Sequence, residues 1–247
     1  MKLMQLNIWR GRLTSQILKL VKAEQPDIIC MQEVFSSADV TIKNPDRTFE
    51  SLKLIVSAGG YGHTFFAPIY SVDYSGHHVL YGNAIVSKYP LEDQQVFFTK
   101  GEFIENLDVA SEFDAPYNLQ TVRLQTNSGP VTVANHHGYW LTDPMGDETS
   151  ATLMRKVADR LKDIAGPLIL AGDLNVVAAS PAMRAFDGWL EDLTATHGIK
   201  NTLSELGKVP DVPCDHILVT ADVKVQTFSA SDALVSDHKA LLLEFDL

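Results

Sequence analysis

Leu119-Gln120-Thr121-Val122-Arg123-Leu124-Gln125 and Val131-Thr132-Val133-Ala134-Asn135-His136 are separated only by the turn-forming residues 126–130. Each run is short and rich in β-branched or aliphatic residues, so the pair reads as two consecutive strands with no helix between them. Working outward, the same pattern predicts strands at Lys2–Trp9, Ile28–Glu33, His63–Ala67, Asn83–Lys88, Leu168–Asp173, His216–Thr220, Lys224–Ser229 and Ala240–Phe245. Apolar residues three and four apart predict helices over Ser15–Ala23, Phe49–Ala58, Glu148–Ile164 and Ser180–Leu193, the last opened by the cap-and-proline pair Ser180-Pro181. Many strands follow one another directly, which excludes a simple doubly wound parallel sheet. The expected class is α+β: two packed, mainly antiparallel sheets forming a sandwich flanked by helices, in one domain over 1–247.

With 247 residues, 45% of them hydrophobic, the chain is long enough for a well-buried core. No apolar run approaches the roughly 20 residues of a membrane helix. The sequence opens straight into alternation at Met1-Lys2-Leu3-Met4-Gln5-Leu6, without the pattern of a secretion signal, so a cytoplasmic location is expected. Cys30 and Cys214 sit in separate apolar stretches and read as small core residues. The formal charge of −11 offers no extended basic face for duplex nucleic acid. It does not exclude a nuclease, because bound metal supplies positive charge at the reacting phosphate.

Chemistry is concentrated where apolar strands end. Asn7 follows Leu3–Leu6, Glu33 follows Ile28–Met31, His136-His137 follows Val131–Ala134, and Asp173-Leu174-Asn175 follows Leu168–Leu170. Asp215 precedes Ile217–Val219, and Asp237-His238 precedes Ala240–Leu243. Polar groups at strand tips emerge into clefts. Singly, each has an ordinary use as a cap, a turn or a solvated charge.

Together, Leu6-Asn7-Ile8-Trp9, Met31-Gln32-Glu33-Val34, Gly82-Asn83-Ala84-Ile85-Val86-Ser87-Lys88, Asn135-His136-His137-Gly138, Gly172-Asp173-Leu174-Asn175, Cys214-Asp215-His216-Ile217-Leu218 and Ser236-Asp237-His238 occur in an informative order. That ordered set, spread over nearly the whole chain, resembles the endonuclease/exonuclease/phosphatase superfamily, the deoxyribonuclease I-like proteins. The resemblance implies a four-layer α/β/β/α sandwich with the site at one edge, and a magnesium-dependent phosphoester hydrolase, manganese being a possible substitute. It implies Glu33 as the principal magnesium ligand, with Asn7 and Asp237 close to the metal. Hard oxygen donors are what magnesium prefers. Asp173 would orient or deprotonate the attacking water, and Asn175 would hold that water or a phosphoryl oxygen. His238, oriented by Asp215, would contact the phosphate, and His137 would stabilise a phosphate oxygen or assist the leaving group. The subgroup is unassigned. Met31-Gln32-Glu33-Val34 and His137-Gly138 depart from the abasic-site endonucleases. Val212–Leu218 lacks the tryptophan and arginine of the inositol polyphosphate 5-phosphatases. Deoxyribonuclease I's glutamate partner for the middle histidine has no counterpart, Asn83 standing in that region.

Further substrate contacts are expected from Arg10 and Arg12, as a guanidinium fork on phosphate, and from Asn83 and Trp140. Specificity is expected in Arg10–Leu13, Ile69–Val79 and two loops, Thr99–Pro116 and Leu141–Thr149. A zinc or two-metal phosphatase built on His136, His137, Asp173 and His238 is disfavoured, because neighbours on a strand face opposite sides. The expected function is a phosphodiesterase or nuclease. The alternatives are a phosphomonoesterase of small or inositol phosphates and a phosphate-binding module without activity. The partner is a phosphoester, nucleic acid or small molecule, with no membrane involved.

Overall fold

The computed structural model describes residues 1–39, 42, 44–108, 115–207 and 212–247. In order, the first half runs β1 (Lys2–Asn7), α1 (Thr14–Glu24), β2 (Ile28–Ser36), α2 (Ser51–Gly59), β3 (His63–Tyr74), β4 (His77–Ser87), β5 (Leu91–Lys100) and β6 (Tyr117–Thr126). The second half runs β7 (Gly129–His136), α3 (Glu148–Leu161), β8 (Leu168–Asp173), β9 (Glu191–Asp192), α4 (Leu193–Thr196), β10 (Asp215–Val219), β11 (Lys224–Ala230) and β12 (Leu241–Asp246). Among the described residues, short 3-10 turns also lie at Trp9–Gly11 and Pro181–Phe186.

The strands form two six-stranded sheets, ordered β11-β12-β1-β2-β4-β3 and β5-β6-β7-β8-β10-β9. All pairings are antiparallel except β1 with β2 and β7 with β8. Those two parallel pairs need crossovers, which α1 and α3 supply. Alternation in the strands builds the layers. Leu3, Ile28, Cys30, Ile85, Leu241 and Leu243 of one sheet pack against Val122, Val131, Val133, Ile169 and Ile217 of the other. The opposite faces, Met4, Leu6, Ile29 and Met31, receive Ile17, Leu20, Leu52 and Ile55 of α1 and α2. Ala134, Leu168 and Leu170 receive Met154, Val157 and Leu161 of α3. The expected sandwich flanked by helices is what the chain forms. No helix among the described residues is long and apolar enough to cross a membrane.

Two local expectations are corrected. Ser180–Leu193 is not one helix: Ser180 accepts from Ala182 N, but only the 3-10 turn Pro181–Phe186 forms. Asp187 leaves helical geometry at ψ 132°, so the apolar spacing beyond it serves β9 and α4 instead. β5 takes in the first residues of the predicted Thr99–Pro116 loop; it is a sheet edge whose run Glu92–Gln95 is exposed, so alternation did not mark it. Residues 109–114 of that predicted loop lie outside the described residues. The segment Ile69–Val79 is mostly strand, the tip of the β3–β4 hairpin.

Candidate active site

The two parallel pairs end at the same edge of the sandwich, and their C-terminal tips carry the polar residues. Asn7 closes β1, Asp173 closes β8, and His137 follows β7 directly. The tips of β7 and β8 approach closely. A Cβ on Gly172 would fall 1.8 Å from the carbonyl oxygen of His136, so only glycine fits before Asp173. Glu33 lies inside β2 at a bulge: Met31 pairs with Ala84 and Val34 with Gly82, leaving Gln32 and Glu33 opposite Asn83. Glu33 takes φ 55°, in the left-handed region that a non-glycine residue rarely adopts. The bulge re-aims its carboxylate towards Asn7 and the cleft.

Asp173 is the focal group. It is 1% exposed, its Oδ1 accepting from Asn175 N at 3.0 Å and its Oδ2 from Asn7 Nδ2 at 3.0 Å. The Nε2 atoms of His137 and His238 each lie 3.6 Å from that same Oδ2, beyond a direct hydrogen bond. His238 Nδ1 donates to Asp215 Oδ2 at 2.8 Å. Asp215 is held in turn by Gln5 Nε2 at 2.9 Å and by its own backbone N on Thr202 Oγ1 at 3.1 Å. Asn7 Nδ2 also faces Glu33 Oε1 at 3.3 Å, while its Oδ1 accepts from Trp9 N at 3.0 Å. Asn175 takes φ 57° and donates to Gly138 O at 2.9 Å. These residues share a cavity of about 650 Å³ lined by Glu33, His137, Asp173, Asn175, Asp237 and His238. Arg10, Arg12, Trp9, Tyr117, Tyr139 and Trp140 also stand on its wall, with Trp140 51% exposed.

The charges in this cluster push its proton affinities apart. Burial holds Asp173 above the usual carboxylate range; His238 opposes this and Asp215 adds to it. Burial would also raise Glu33, but Arg10, His137 and His238 overcome it and the carboxyl lies below its ordinary value. Burial lowers the proton affinity of His238, yet Asp215 and Asp173 more than reverse that, so the ring holds its proton well above the usual histidine range. Asp237 is pushed up to about 6 by burial, with the charges of Glu33 and Asp173 adding to it.

Two donor sets could hold a metal. Asp173, Cys214, Asp215 and His238 bring ligand atoms within 4.8 Å of one another. In that set Asp215 is already committed to His238 and Gln5, and burial pushes the Cys214 thiol up to about 12, keeping it protonated. Glu33 and Asp237 offer carboxylates on the cavity wall, one of them held ionised, and this hard oxygen set fits magnesium better.

Of the residues expected from sequence, the cavity gathers Arg10, Arg12, Glu33, His137, Trp140, Asp173, Asn175, Asp237 and His238, with Asn7 and Asp215 directly behind them. Asn83 is not brought to the wall. It is 2% exposed between the sheets, and its Nδ2 is spent on Asn118 Oδ1 at 3.0 Å. His136, the last residue of β7, is not on the cavity wall; its Nδ1 donates to Asn118 O, and burial lowers its pKa to about 4.

The sequence did not reveal the layer beneath the site. Gln32 Nε2 donates to Asn135 Oδ1 at 2.7 Å, and Gln5 Nε2 donates to Gln32 Oε1 at 2.9 Å. Asn135 Nδ2 reaches Met31 O, Ala84 O and Gln120 Oε1. These amides tie one sheet to the other and fix the strand tips in register. Inward-facing glutamines at Gln5 and Gln32, in otherwise apolar strands, are the signal that would have found them.

His216, 0% exposed, supports the Asp173-Leu174-Asn175 turn from below. Its Nδ1 meets Asp192 Oδ2 at 2.9 Å and its Nε2 meets Val176 O at 2.8 Å. A carboxylate and a carbonyl only accept, so both ring nitrogens carry protons and the ring is charged. Burial opposes that charge, and Asp192 more than offsets it, raising the histidine above its ordinary value. A raised native pKa stabilises the fold fully below the unfolded value of about 6.5, and the contribution is lost as pH rises through the native value. His216→Gln is therefore expected to cost about 3–5 kcal/mol in acid and progressively less in alkali. Denaturant melts of both proteins from pH 5 to 9 check this, and a cost independent of pH would contradict it.

The sequence matches the Endonuclease/Exonuclease/phosphatase family over residues 4–238. Comparison with curated proteins gives no match. Among solved structures, an endonuclease/exonuclease/phosphatase from Beutenbergia cavernae is similar with a TM-score of 0.74 and 21% identity, over 100% of this chain and 71% of that one. Another, from Bacteroides vulgatus, is similar with a TM-score of 0.75 and 17% identity, over 100% and 98% of the two chains. The human Nocturnin catalytic domain, solved with bound sulfate, is similar with a TM-score of 0.71 and 18% identity, over 100% and 94%. These likenesses concern the fold, while the family match spans every residue of the site just described. The chain belongs to the endonuclease/exonuclease/phosphatase family, whose members are phosphoester hydrolases.

Proposed function

We propose that this protein is a magnesium-dependent phosphodiesterase acting on nucleotide-sized or short nucleic-acid substrates. The observation that carries the reading is the convergence of His137 and His238 on one oxygen of buried Asp173, with Glu33 and Asp237 on the same cavity wall. Burial makes the Asp173 carboxylate a better base than an exposed one, suited to taking a proton from water as its oxygen attacks phosphorus. Asn7 and Asn175 fix that carboxylate from two sides, so the proton acceptor does not rotate away. His238, kept protonated by Asp215, places an imidazolium against the charge that develops on the phosphoryl oxygens. His137 stands beside the departing oxygen as the bond from phosphorus to the leaving group breaks. Glu33 and Asp237 would hold magnesium, which supplies a Lewis acid for the phosphoryl group. Asn7, whose amide nitrogen faces both Glu33 and Asp173, orients these two carboxylates relative to each other.

A cavity of about 650 Å³ with aromatic walls fits a small substrate better than a long duplex, and so does the charge of −11. A second reading, a phosphomonoesterase, is favoured by Arg10 and Arg12 on the wall, since guanidinium groups suit a dianion. Hydrolysis of bis(4-nitrophenyl) phosphate against 4-nitrophenyl phosphate, with magnesium and then with chelator, separates the two. Chelator-sensitive turnover favouring the diester is expected. Turnover of the monoester alone would transfer the assignment to the phosphatase.

A further inference from the structure

The chain leaving β1 turns through three successive positive φ angles: 49° at Trp9, 57° at Arg10 and 77° at Gly11. Two of these are not glycine, so the turn is strained and must be held by its surroundings. It is held by the segment that follows Arg47. Thr48 N and Thr14 Oγ1 both donate to Gly11 O, at 3.2 and 3.0 Å, and Ser51 Oγ donates to Thr48 O at 2.8 Å. A Cβ on Gly11 would lie 2.2 Å from Ser51 Oγ and 2.4 Å from Thr48 O, so the two segments are in direct contact there.

This clip brings three guanidinium groups onto a set of aromatic rings beside the catalytic cavity. Arg10 Cζ lies 5.9 Å from the Phe35 centroid and 5.5 Å from that of Tyr81. Arg47 Cζ lies 5.7 Å from the same Phe35 ring, and Arg12 Cζ lies 4.7 Å from the Trp9 ring. Arg10 reaches Glu33 at 3.3 Å. The guanidinium groups of Arg12 and Arg47 form no hydrogen bond or ion pair among the described residues, and Arg47 Nε is buried without an acceptor. Burial pulls Arg47 below its ordinary proton affinity, and the charges of Arg12 and Arg10 add to that. Arg10 and Arg47 are half-buried and Arg12 is exposed beside them; gathering like charges at the edge of a partly dehydrated place is costly, and a bound anion would offset the cost.

We propose that Arg12 and Arg47, with Arg10 beside them, form a second anion subsite next to the hydrolytic centre. Its ligand is a phosphate that the substrate carries in addition to the one being cleaved. The substrate class is then a nucleotide-sized phosphoester with two phosphates, one facing Asp173 and the histidines and the other facing the arginines. This rests on the hydrolase reading of the adjoining cleft. Planar guanidinium groups suit bidentate contact with phosphate, and stacking on rings fixes their planes in advance.

The test compares the 4-nitrophenyl ester of thymidine 5′-phosphate with the same ester carrying a 3′-phosphate. In both, water attacks the 5′ phosphorus and 4-nitrophenolate leaves. The native protein is expected to favour the 3′-phosphorylated ester by at least about tenfold in kcat/KM, mainly through KM. Arg47→Met and Arg12→Gln should each bring that preference towards unity, and Arg47→Lys should keep part of it. No preference in the native protein, or a preference that survives both variants, would overturn the subsite. Calorimetric binding of thymidine 3′,5′-bisphosphate against thymidine 5′-phosphate, with the same variants, decides the subsite without turnover. Bisphosphate preference without hydrolysis of either ester would support the subsite and count against the hydrolase reading alone. Hydrolysis without the preference would do the reverse.

Discussion

Asp173→Asn is expected to lower kcat for a phosphodiester by about 10²–10⁴, the usual worth of general-base assistance. The amide is nearly the same shape, and one oxygen remains to accept from Asn7 or Asn175, so the strand tip should keep its position. What is lost is the proton acceptor between His137 and His238. The fall should appear in kcat, with KM and the magnesium requirement little changed, because no substrate or metal contact is removed. Steady-state kinetics beside a thermal melt check this. A folded variant with near-native kcat would mean that the proton leaves water by another route.

The second large effect is expected at Glu33. Glu33→Gln removes the carboxylate that Arg10, His137 and His238 hold ionised, and with it a hard, charged donor. The magnesium concentration for half-maximal turnover should rise by more than about tenfold, a cost at least as large as that of losing an outer-shell partner. Titrations of activity and of binding heat against magnesium measure this. The same titration has a pH dependence in the native protein. Asp237, raised to about 6, is a carboxylate above that value and takes up a proton below it. Magnesium demand should therefore increase as pH falls through about 6, while Glu33 is still ionised. An unchanged magnesium requirement in Glu33→Gln would place the metal elsewhere, with the Asp173, Cys214, Asp215 and His238 group as the next candidate.

What the sequence disclosed follows from what periodicity records. β1, β2, β7 and β8 are buried on both faces, so each reads as an apolar run that ends abruptly in a polar residue, and those ends gather at the candidate site. β5 is not legible in the sequence because an exposed edge strand has little reason to alternate. The bulge that aims Glu33 was not legible either, since it is a shift of register between strands and not a property of one strand. Asn83 looked like a site residue because its motif lies beside the others in order. Its side chain, however, is on the inward face of β4, where an amide is needed to meet Asn118. Arg47 carried no signal at all. It reaches Phe35 and its arginine neighbours only through the clip between Gly11 and Thr48.

The amide layer explains how so polar a site is held still. Gln5 and Asn7 alternate with apolar residues along β1. Gln5 steadies Asp215, and Asn7 steadies Asp173 and Glu33. One strand thus positions a carboxylate from each of β2, β8 and β10, which is the preorganisation a charged transition state requires. The cost is a buried acceptor, Gln5 Oε1, without a partner among the described residues.

The most direct measurement is magnesium add-back to chelator-stripped protein with bis(4-nitrophenyl) phosphate as substrate. The expected result is release of 4-nitrophenolate that is absent with chelator and returns in proportion to magnesium occupancy. Turnover that persists unchanged in excess chelator would contradict a metal held by Glu33 and Asp237 beside Asp173.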